Sequence, residues 1–157
     1  MKALVVYDSQ FGNTEKIAAA IRDALGATAD MRRAAAMTPA DLAGVDLLVV
    51  GSPTQSFHAT KPVEALFDGQ SLAGVHAAAF DTRFDMAEVE SRMLRLAVKV
   101  AGDNAYAAPR IAAALAKAGA RVVAPPEGFI VSDTEGPLRE GELERAAAWA
   151  GAILAAL

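Results

Sequence analysis

A polar loop with the composition of an anion-binding site follows the first apolar segment of the chain. Residues 8–14 read Asp-Ser-Gln-Phe-Gly-Asn-Thr, directly after the apolar run Ala3–Tyr7. The hydroxyl and amide side chains of this loop can donate hydrogen bonds, and Gly12 lets a ligand approach the backbone closely. Because backbone N–H groups converge where a helix begins, the loop predicts a binding site for a phosphate group.

The loop lacks the sequence patterns of two common classes of phosphate site, those for nucleoside triphosphates and for dinucleotides. It has no lysine in the GxxxxGK spacing of a nucleoside triphosphate site, and no GxGxxG pattern of a dinucleotide site. A cradle of amides and hydroxyls beside Asp8, without a cation, suits a single terminal phosphate held without charge neutralisation. Flavin mononucleotide (FMN) presents such a phosphate.

Composition excludes several other kinds of site. The 157 residues include no cysteine, which removes disulfides, thiol catalysis, iron–sulfur clusters and cysteine-type zinc sites. The only two histidines, His58 and His76, are too few and too far apart in sequence to indicate a metal site. A formal net charge of -4 argues against a nucleic-acid partner, because duplex binding depends on cations that neutralise phosphates.

No segment indicates membrane insertion or secretion. The longest uncharged apolar run, Ala146–Leu157, is well short of the roughly 20 residues that a spanning helix needs. Asp8 interrupts the apolar stretch near the amino terminus, which leaves no room for the core of a signal peptide. We expect one domain over residues 1–157, located in the cytoplasm and without a membrane partner.

Apolar segments that read as strands alternate with segments of helical periodicity. The strands are expected within Ala27–Arg33 and at Ala3–Tyr7, Asp46–Gly51, Val75–Asp81 and Ala120–Ala124, the last continued by Phe129–Val131 beyond two prolines. Helices are expected over residues 17–25, 62–67, 109–118 and 138–157, with a short helical turn at residues 38–41. This alternation predicts an α/β fold with a doubly wound parallel sheet.

An additional amphipathic helix is predicted between the fourth strand and the helix that begins near residue 109. Asp85 and Glu88 have capping-box spacing, and an apolar face follows. The residues on that face are Val89, Met93, Leu96 and Val100. Pro53, directly after the strongest strand, is expected to turn the chain out of the sheet.

Three segments resemble the flavodoxin family. Ser9–Glu15 is similar to a family phosphate loop of the form Ser/Thr-x-x-Gly-Asn-Thr after the first strand. Val49–Thr54 resembles the loop that begins beside the isoalloxazine ring, and Phe80–Arg83 falls where the second ring loop leaves the fourth strand. The order of elements agrees over essentially the whole chain. The resemblance implies a three-layer, flavodoxin-like fold with five parallel strands in the order 2-1-3-4-5.

The resemblance also assigns the residues expected to bind the cofactor. Around the phosphate these are Ser9, Gln10, Phe11, Gly12, Asn13 and Thr14, and in the two ring loops Pro53, Thr54, Gln55, Ser56, Phe57, Asp81, Thr82, Arg83 and Phe84. The chain departs from the family at Gln55, where electron-carrying flavodoxins often have an aromatic residue. Candidate substitutes are Phe57, His58, Phe84 and Tyr106. The segment Phe84–Ala108 is longer than the usual second ring loop and could be a lid or a docking surface.

Three functions are compatible with these residues. The first is an FMN-binding electron carrier with a redox partner protein, toward which the acidic stretch Glu140–Glu144 could steer a basic partner. The second is an FMN-dependent NAD(P)H or quinone oxidoreductase. Arg83 favours it if its charge stabilises the reduced flavin, whereas an ion pair with Asp81 or Asp85 would remove that argument. The third is a module of the same fold that has lost FMN and acts in regulation or partner binding.

Overall fold

A computed structural model describes residues 1–157 as a parallel sheet between two layers of helices. The strands are β1 (Ala3–Tyr7), β2 (Ala29–Arg33), β3 (Leu47–Pro53), β4 (His76–Phe84), β5 (Arg121–Val122) and β6 (Glu127–Val131). The helices are α1 (Asn13–Leu25), α2 (Lys61–Ala65), α3 (Arg92–Ala101), α4 (Ala107–Lys117) and α5 (Glu142–Ala155). Short 3₁₀ turns occupy residues 34–36, 39–42, 86–88 and 102–105.

The strand order is β2-β1-β3-β4-β5, and every pairing in it is parallel. β6 also pairs with β4, beyond the end of β5, so that the two short strands occupy one position of the sheet in succession. Pro125 and Pro126 separate them, because proline has no N–H with which to continue the ladder. The predicted order 2-1-3-4-5 is therefore confirmed, with the fifth strand in two pieces.

Alternate residues of the central strands form two separate cores. On one face of the sheet, Val5 and Val49 pack with apolar side chains of α1 and α5. On the other face, Val6 and Val50 pack with α2 and α4. Because successive side chains of a strand point to opposite faces, a continuously apolar strand can serve both cores at once. This explains why β1 and β3 carry hardly any polar residues before they reach the sheet's carboxyl edge.

An aromatic cluster fills the core between the sheet and α5. The rings of Phe80, Phe129 and Trp149 meet edge to face, with centroids 6.1–6.2 Å apart. Gly51 makes room for them, since a Cβ atom there would lie 2.0 Å from the Phe80 ring. Trp149 therefore packs in the core.

Several element boundaries differ from the sequence prediction. Pro53 does not turn the chain out of the sheet but is the last residue of β3, paired with Thr82. β4 continues to Phe84, three residues beyond its predicted end, because β6 pairs with residues 80–84. α5 starts at Glu142, later than predicted, because Leu138 pairs with Val131 in an isolated bridge.

The additional helix is present but begins at a different cap. Asp85 accepts a hydrogen bond from the Ala87 N–H and caps only the 3₁₀ turn at 86–88, whereas Ser91 caps α3 through the Leu94 N–H. The apolar residues predicted for this helix are not buried, and α3 contributes no residue to either core. None of the helices combines the length and apolar character that crossing a bilayer would need.

Candidate functional site

A cleft of about 340 Å³ lies at the carboxyl edge of the sheet, between the loops that follow β1, β3 and β4. The strand order reverses between β1 and β3, and open parallel sheets bind their ligands at such a reversal. Thirteen of the fifteen residues expected from the sequence line the cleft: Ser9, Gln10, Phe11, Asn13, Thr14, Pro53, Thr54, Gln55, Ser56, Phe57, Thr82, Arg83 and Phe84. The fold thus brings together segments that are up to 75 residues apart in sequence.

Free hydrogen-bond donors concentrate at the start of α1. The backbone N–H groups of residues 10, 11, 13, 14 and 15 donate to no atom of the chain. Asn13 and Thr14 are both buried residues, and both line the cleft. Gly12 has a φ of 91°, a conformation that favours glycine, and turns the loop so that it joins the helix. These unpartnered donors, together with the helix dipole, fit a phosphate group.

The loop is held in shape by bonds that leave those donors free. Ser9 Oγ accepts from the Gly12 N–H at 3.0 Å, and Asp8 accepts from the Ser9 N–H at 2.9 Å. Arg33, at the end of β2, donates to the Ser9 carbonyl at 2.9 Å and forms an ion pair with Asp8. Its positive charge is thereby engaged beside the loop, and the cradle itself consists of amides and hydroxyls as the sequence predicts.

A distant loop closes one side of the loop at residues 8–14. The Asn13 side-chain amide donates to the Glu135 carbonyl at 3.2 Å. Gly136 packs so closely against Asn13 that a Cβ atom on it would lie 2.6 Å from Asn13 Oδ1. Thr134, from the same loop, lines the cleft. Sequence reasoning missed this loop because it lies some 120 residues from the motif that it covers.

The two halves of the site are joined at the floor of the cleft. The side-chain hydroxyls of Thr14 and Thr82 lie 2.8 Å apart, and both residues are buried. Thr14 belongs to the first turn of α1 and Thr82 to β4, so this bond fixes the spacing between the phosphate cradle and the second ring loop. At the mouth, the Gln55 amide donates to Gln10 Oε1 at 2.7 Å, which links the same cradle to the first ring loop.

The first ring loop is a tight hairpin with an unusual backbone. Gln55 and His58 exchange backbone hydrogen bonds of 2.8 and 2.9 Å. Ser56 and Phe57, between them, have φ values of 48° and 71°. Two positive φ angles define a turn that normally contains glycine or asparagine, and neither is present here. The sequence therefore carried no signal for this turn, which sets the side chains of Ser56 and Phe57 against the cleft.

Four aromatic side chains surround the cleft. Phe11 comes from the phosphate loop, Phe57 from the hairpin, Phe84 from the end of β4, and Tyr106 from the residue before α4. They supply the flat apolar surfaces that Gln55 does not. His58, the remaining candidate, does not line the cleft: its Nδ1 lies 3.6 Å from a carboxylate oxygen of Glu64, and the side chain is exposed.

Gly12 and Asp81 are the two expected residues that do not line the cleft. Asp81 is fully buried beneath Arg83, and its carboxylate accepts from Arg83 Nε and Nη2 at 2.7 and 2.8 Å. It also accepts from the Ala108 N–H at 2.9 Å in the first turn of α4. Burial raises the pKa of Asp81, while the bonds from Arg83 and Ala108 act in the opposite direction. Asp81 thus positions Arg83 and α4 and does not itself face a ligand.

Arg83 lines the cleft in a fully constrained position. Its guanidinium carbon lies 3.7 Å from the centroid of the Tyr106 ring. Gly128, on the neighbouring strand β6, leaves the space for this side chain, since a Cβ atom there would overlap Arg83 Nε. Asp81 balances the charge of Arg83. This ion pair removes the argument that Arg83 stabilises a reduced flavin and thereby favours an oxidoreductase.

One wall of the cleft is apolar, and its residues were not predicted from the sequence. It consists of Met86, Leu94 and Val98, the last two from α3 at i, i+4 spacing. The predicted apolar face of this helix comprised other residues, because its apolar arc is wide and only part of it turns toward the cleft. Ala105 and Val131 complete the lining.

Comparisons with known proteins agree with this architecture. A family model described as Flavodoxin matches residues 5–149. A flavodoxin from the domain Archaea is similar with a TM-score of 0.74 and 22% identity, over 98% of this chain and 96% of that chain. Oxidised flavodoxin 1 from Bacillus cereus has a TM-score of 0.75 and 16% identity, over 100% and 99% of the two chains. No curated protein sequence matches the chain significantly.

A larger protein contains a similar unit. Rubredoxin oxygen:oxidoreductase from Desulfovibrio gigas matches with a TM-score of 0.73 and 19% identity, over 99% of this chain but only 35% of that chain. Because the sequence identities are below 25%, the structural matches establish only the fold. The assignment to a family rests on the family model.

Proposed function

This chain belongs to the flavodoxin family, and we propose that it is a one-domain electron carrier that binds FMN in the cleft at the carboxyl edge of its sheet. Flavin binding and electron transfer to partner proteins follow from membership of the family. The choice of FMN, the residues that bind it, the single domain over residues 1–157 and a cytoplasmic location are proposals.

The observation that carries the choice of FMN is the cluster of free N–H donors beside an aromatic cleft. Five backbone N–H groups without acceptors meet at the start of α1, and no Lys or Arg side chain lines that end of the cleft. The aromatic lining begins directly beside them. One terminal phosphate and one flat ring system account for both features, and FMN combines them in a single molecule.

Each part of the cleft then has a role toward the cofactor. The N–H groups at the start of α1, with the side chains of Ser9 and Thr14, would hold the phosphate. The hairpin at 55–58 and the aromatic residues would flank the isoalloxazine ring, and the apolar wall from α3 would keep water from one side of it. Bound FMN supplies a ring that accepts and donates electrons, while the chain orients that ring and sets its surroundings.

The two alternative functions are less well supported. One argument for the oxidoreductase hypothesis was Arg83 as an unbalanced cation, and Asp81 balances that charge. A module that had lost FMN would no longer need donors without acceptors at a buried helix start, yet the chain retains them.

Titration of the purified chain with FMN and with riboflavin tests the proposal. Flavin fluorescence should be quenched on binding, and FMN should bind at least tenfold more tightly than riboflavin, because only FMN has the phosphate that meets the free N–H groups. Absence of quenching with both flavins would exclude the cofactor assignment. Equal affinity for both would place the phosphate outside the cradle.

Reduction of the loaded protein separates carrier from enzyme. We expect NAD(P)H alone to leave the flavin absorbance unchanged and an added reductase to bleach it. Bleaching by NAD(P)H without a reductase would favour the oxidoreductase.

A further inference from the structure

Helix α3 has a concentration of positive charge that differs from the rest of the chain. Arg92, Arg95 and Lys99 lie on it, and its ten residues include no acidic side chain. None of the three cations forms an ion pair. Without these three charges the formal net charge of the chain would be -7 rather than -4. α3 is therefore a basic element on an acidic protein.

The same helix exposes large apolar side chains. Met93, Leu96 and Val100 are 84%, 62% and 80% exposed, which makes them the most exposed large apolar residues of the chain. They lie on neighbouring positions of one helical face, so they form a continuous patch. Contiguous apolar patches edged by charged residues are typical of surfaces that bind another protein.

The side of α3 opposite to the patch borders the cleft. Leu94 and Val98 line the cleft, while the patch faces solvent. The segment before α3 is fastened to the body of the protein, since Arg139 forms ion pairs with Asp85 and Glu88 at 2.9 and 3.1 Å. A molecule bound to α3 would therefore be held beside the proposed ring site.

We propose that α3 docks an acidic redox partner protein, through what we call the α3 surface: Arg92, Met93, Arg95, Leu96, Lys99 and Val100. This inference rests on the proposed electron-carrier function and adds to it the charge of the partner. The three cations attract and orient carboxylates of the partner, and the apolar patch is buried at the centre of the contact. The partner is thus acidic, the opposite of the basic one that the Glu140–Glu144 stretch suggested.

Charge and size argue against the other possible occupants. Two copies of the chain that met through their α3 surfaces would bring six cations together, and the α3 surface itself contains no carboxylate. A lipid bilayer would gain only three apolar side chains from a helix of ten residues, far less than interfacial helices bury. An acidic protein surface satisfies both the charges and the apolar patch.

Electron transfer to two haem proteins of opposite charge tests the proposal. The probes are the soluble domain of cytochrome b5, which is acidic, and mitochondrial cytochrome c, which is basic. The FMN-loaded chain is photoreduced without oxygen and mixed with each oxidised probe, so that one electron leaves the flavin for each ferric haem reduced to the ferrous state. We expect the rate with the acidic probe to fall as salt rises from about 10 to about 500 mM, as for an attractive pair.

A charge-reversed variant locates the interaction. Arg92→Glu, Arg95→Glu and Lys99→Glu together should lower the low-salt rate with the acidic probe by at least tenfold. The matched control is Lys2→Glu, Lys117→Glu and Arg121→Glu, three exposed cations at the opposite edge of the sheet. Both variants change the net charge by the same amount, so the difference between them measures position and not total charge. In the control, we expect the logarithm of the rate to fall by less than a third of its fall in the charge-reversed variant.

A neutral variant tests the apolar patch. Met93→Gln with Leu96→Gln leaves the charge unchanged and should weaken binding of the acidic probe about tenfold at high salt, where the cations contribute little. Binding is measured by titrating the isotope-labelled chain with the probe and following amide chemical shifts, which should change on α3. This readout needs no flavin, so a chain that binds the probe but no FMN would refute the proposed function and leave the docking surface intact.

Each remaining outcome overturns the proposal. These are a rate with the acidic probe that does not fall as salt rises, equal losses in the charge-reversed variant and its control, or shifts confined to another face. If sedimentation shows that the unmodified chain forms dimers and that the charge-reversed variant does not, the α3 surface would be assigned to a second copy of the chain. Binding to vesicles of anionic lipid without binding to the acidic probe would assign it to a membrane. Flavin affinity and potential of each variant, measured alongside, show whether the cleft itself was disturbed.

Discussion

The guanidinium of Arg83 binds the carboxylate of Asp81 through two hydrogen bonds of 2.7 and 2.8 Å, although the two residues are only two positions apart on one strand. Residues i and i+2 of a strand share a face, so both side chains lie on the side of β4 that meets α4. Tyr106 and the Ala108 N–H complete the arrangement. An ion pair thus connects the wall of the cleft to the first turn of a helix.

Removal of Arg83 alone should be costly for stability. Arg83→Met leaves the Asp81 carboxylate buried without its cation, and we expect the free energy of unfolding to fall by about 3–5 kcal/mol. The loss should be smaller at acidic pH, because burial raises the pKa of Asp81 and the variant can bind a proton there. Urea unfolding followed by Trp149 fluorescence measures both effects.

The double variant is the control for this pair. Asp81→Asn with Arg83→Met removes both charges, and the asparagine oxygen can still accept the Ala108 N–H. We expect the double variant to be at least about 1 kcal/mol more stable than the sum of the two single losses implies. Strict additivity would mean that the pair contributes nothing beyond its separate contacts.

A carboxylate in the phosphate cradle should weaken FMN binding selectively. Asn13→Asp places a negative charge beside the free N–H groups and also next to the Glu135 carbonyl. We expect FMN affinity to fall by a factor on the order of 100, because one close like charge at low dielectric is worth a few kcal/mol. Riboflavin, which lacks the phosphate, should lose less than threefold. Fluorescence titration with both flavins provides the comparison.

Gln70→Glu makes the same amide-to-carboxylate change outside the cleft, in the loop after α2. Its FMN affinity should equal that of the unmodified chain within a factor of two. Equal losses for FMN and riboflavin in Asn13→Asp would instead indicate that the change distorts the loop, and the electrostatic explanation would be wrong.

The strands and the loop that leads into α1 were predictable because the interactions that form them are local. A buried parallel strand must be apolar on both faces, which Ala3–Tyr7 displays in five consecutive residues, and the Gly-Asn-Thr turn directly after it carries its own signal. The fifth strand was also readable, since two prolines mark its interruption. What these features share is that the residues responsible lie next to one another in sequence.

The rest of the site depends on contacts that no local pattern encodes. Thr134 reaches the cleft because the loop after β6 extends to the start of α1, where it contacts Asn13. Leu94 and Val98 belong to a helix whose apolar arc is wider than the part that faces the cleft, so periodicity alone could not select them. Asp81 lies in a ring-loop motif, yet it is fully buried beneath Arg83, whereas the next two residues of β4, Thr82 and Arg83, reach the cleft.

Replacement of Ser56 by glycine, in the first ring loop, should stabilise the protein. Ser56 has a φ of 48° without being glycine or asparagine, and the left-handed conformation costs an ordinary residue roughly 1 kcal/mol. Ser56→Gly should therefore raise the free energy of unfolding by about 0.5–1 kcal/mol. Ser71→Gly, at a residue without a positive φ, should lower it slightly. A decrease in both variants would mean that the serine side chain contributes more than its backbone costs.

Acid should weaken the attachment of α5 to β6. The Glu142 carboxylate accepts the Ile130 N–H at 2.6 Å and two bonds from Arg145 at 2.6 and 3.0 Å. Burial opposes ionisation here, but the bonds from Arg145 and Ile130 outweigh it and hold the pKa of Glu142 below its ordinary value. The folded state thus binds fewer protons than the unfolded one between that lowered pKa and the unfolded value of about 4.3. The contribution of Glu142 to stability is complete above that window and is lost as pH falls through it.

Glu142→Gln should therefore be less stable than the unmodified chain at pH 7, by about 1–2 kcal/mol, because the uncharged amide forms no ion pair with Arg145 and has one acceptor oxygen where the carboxylate has two. The difference between the two proteins should shrink as pH falls below about 4.3, where the unmodified chain loses the same interaction. Glu144→Gln is the matched control: Glu144 lies in the same first turn of α5 but is exposed, and its substitution should change stability by less than about 0.5 kcal/mol at any pH. Urea unfolding at intervals from pH 3 to 7 measures all three proteins. A difference between Glu142→Gln and the unmodified chain that stays constant over this range would show that the carboxylate acts through its shape and not through its charge.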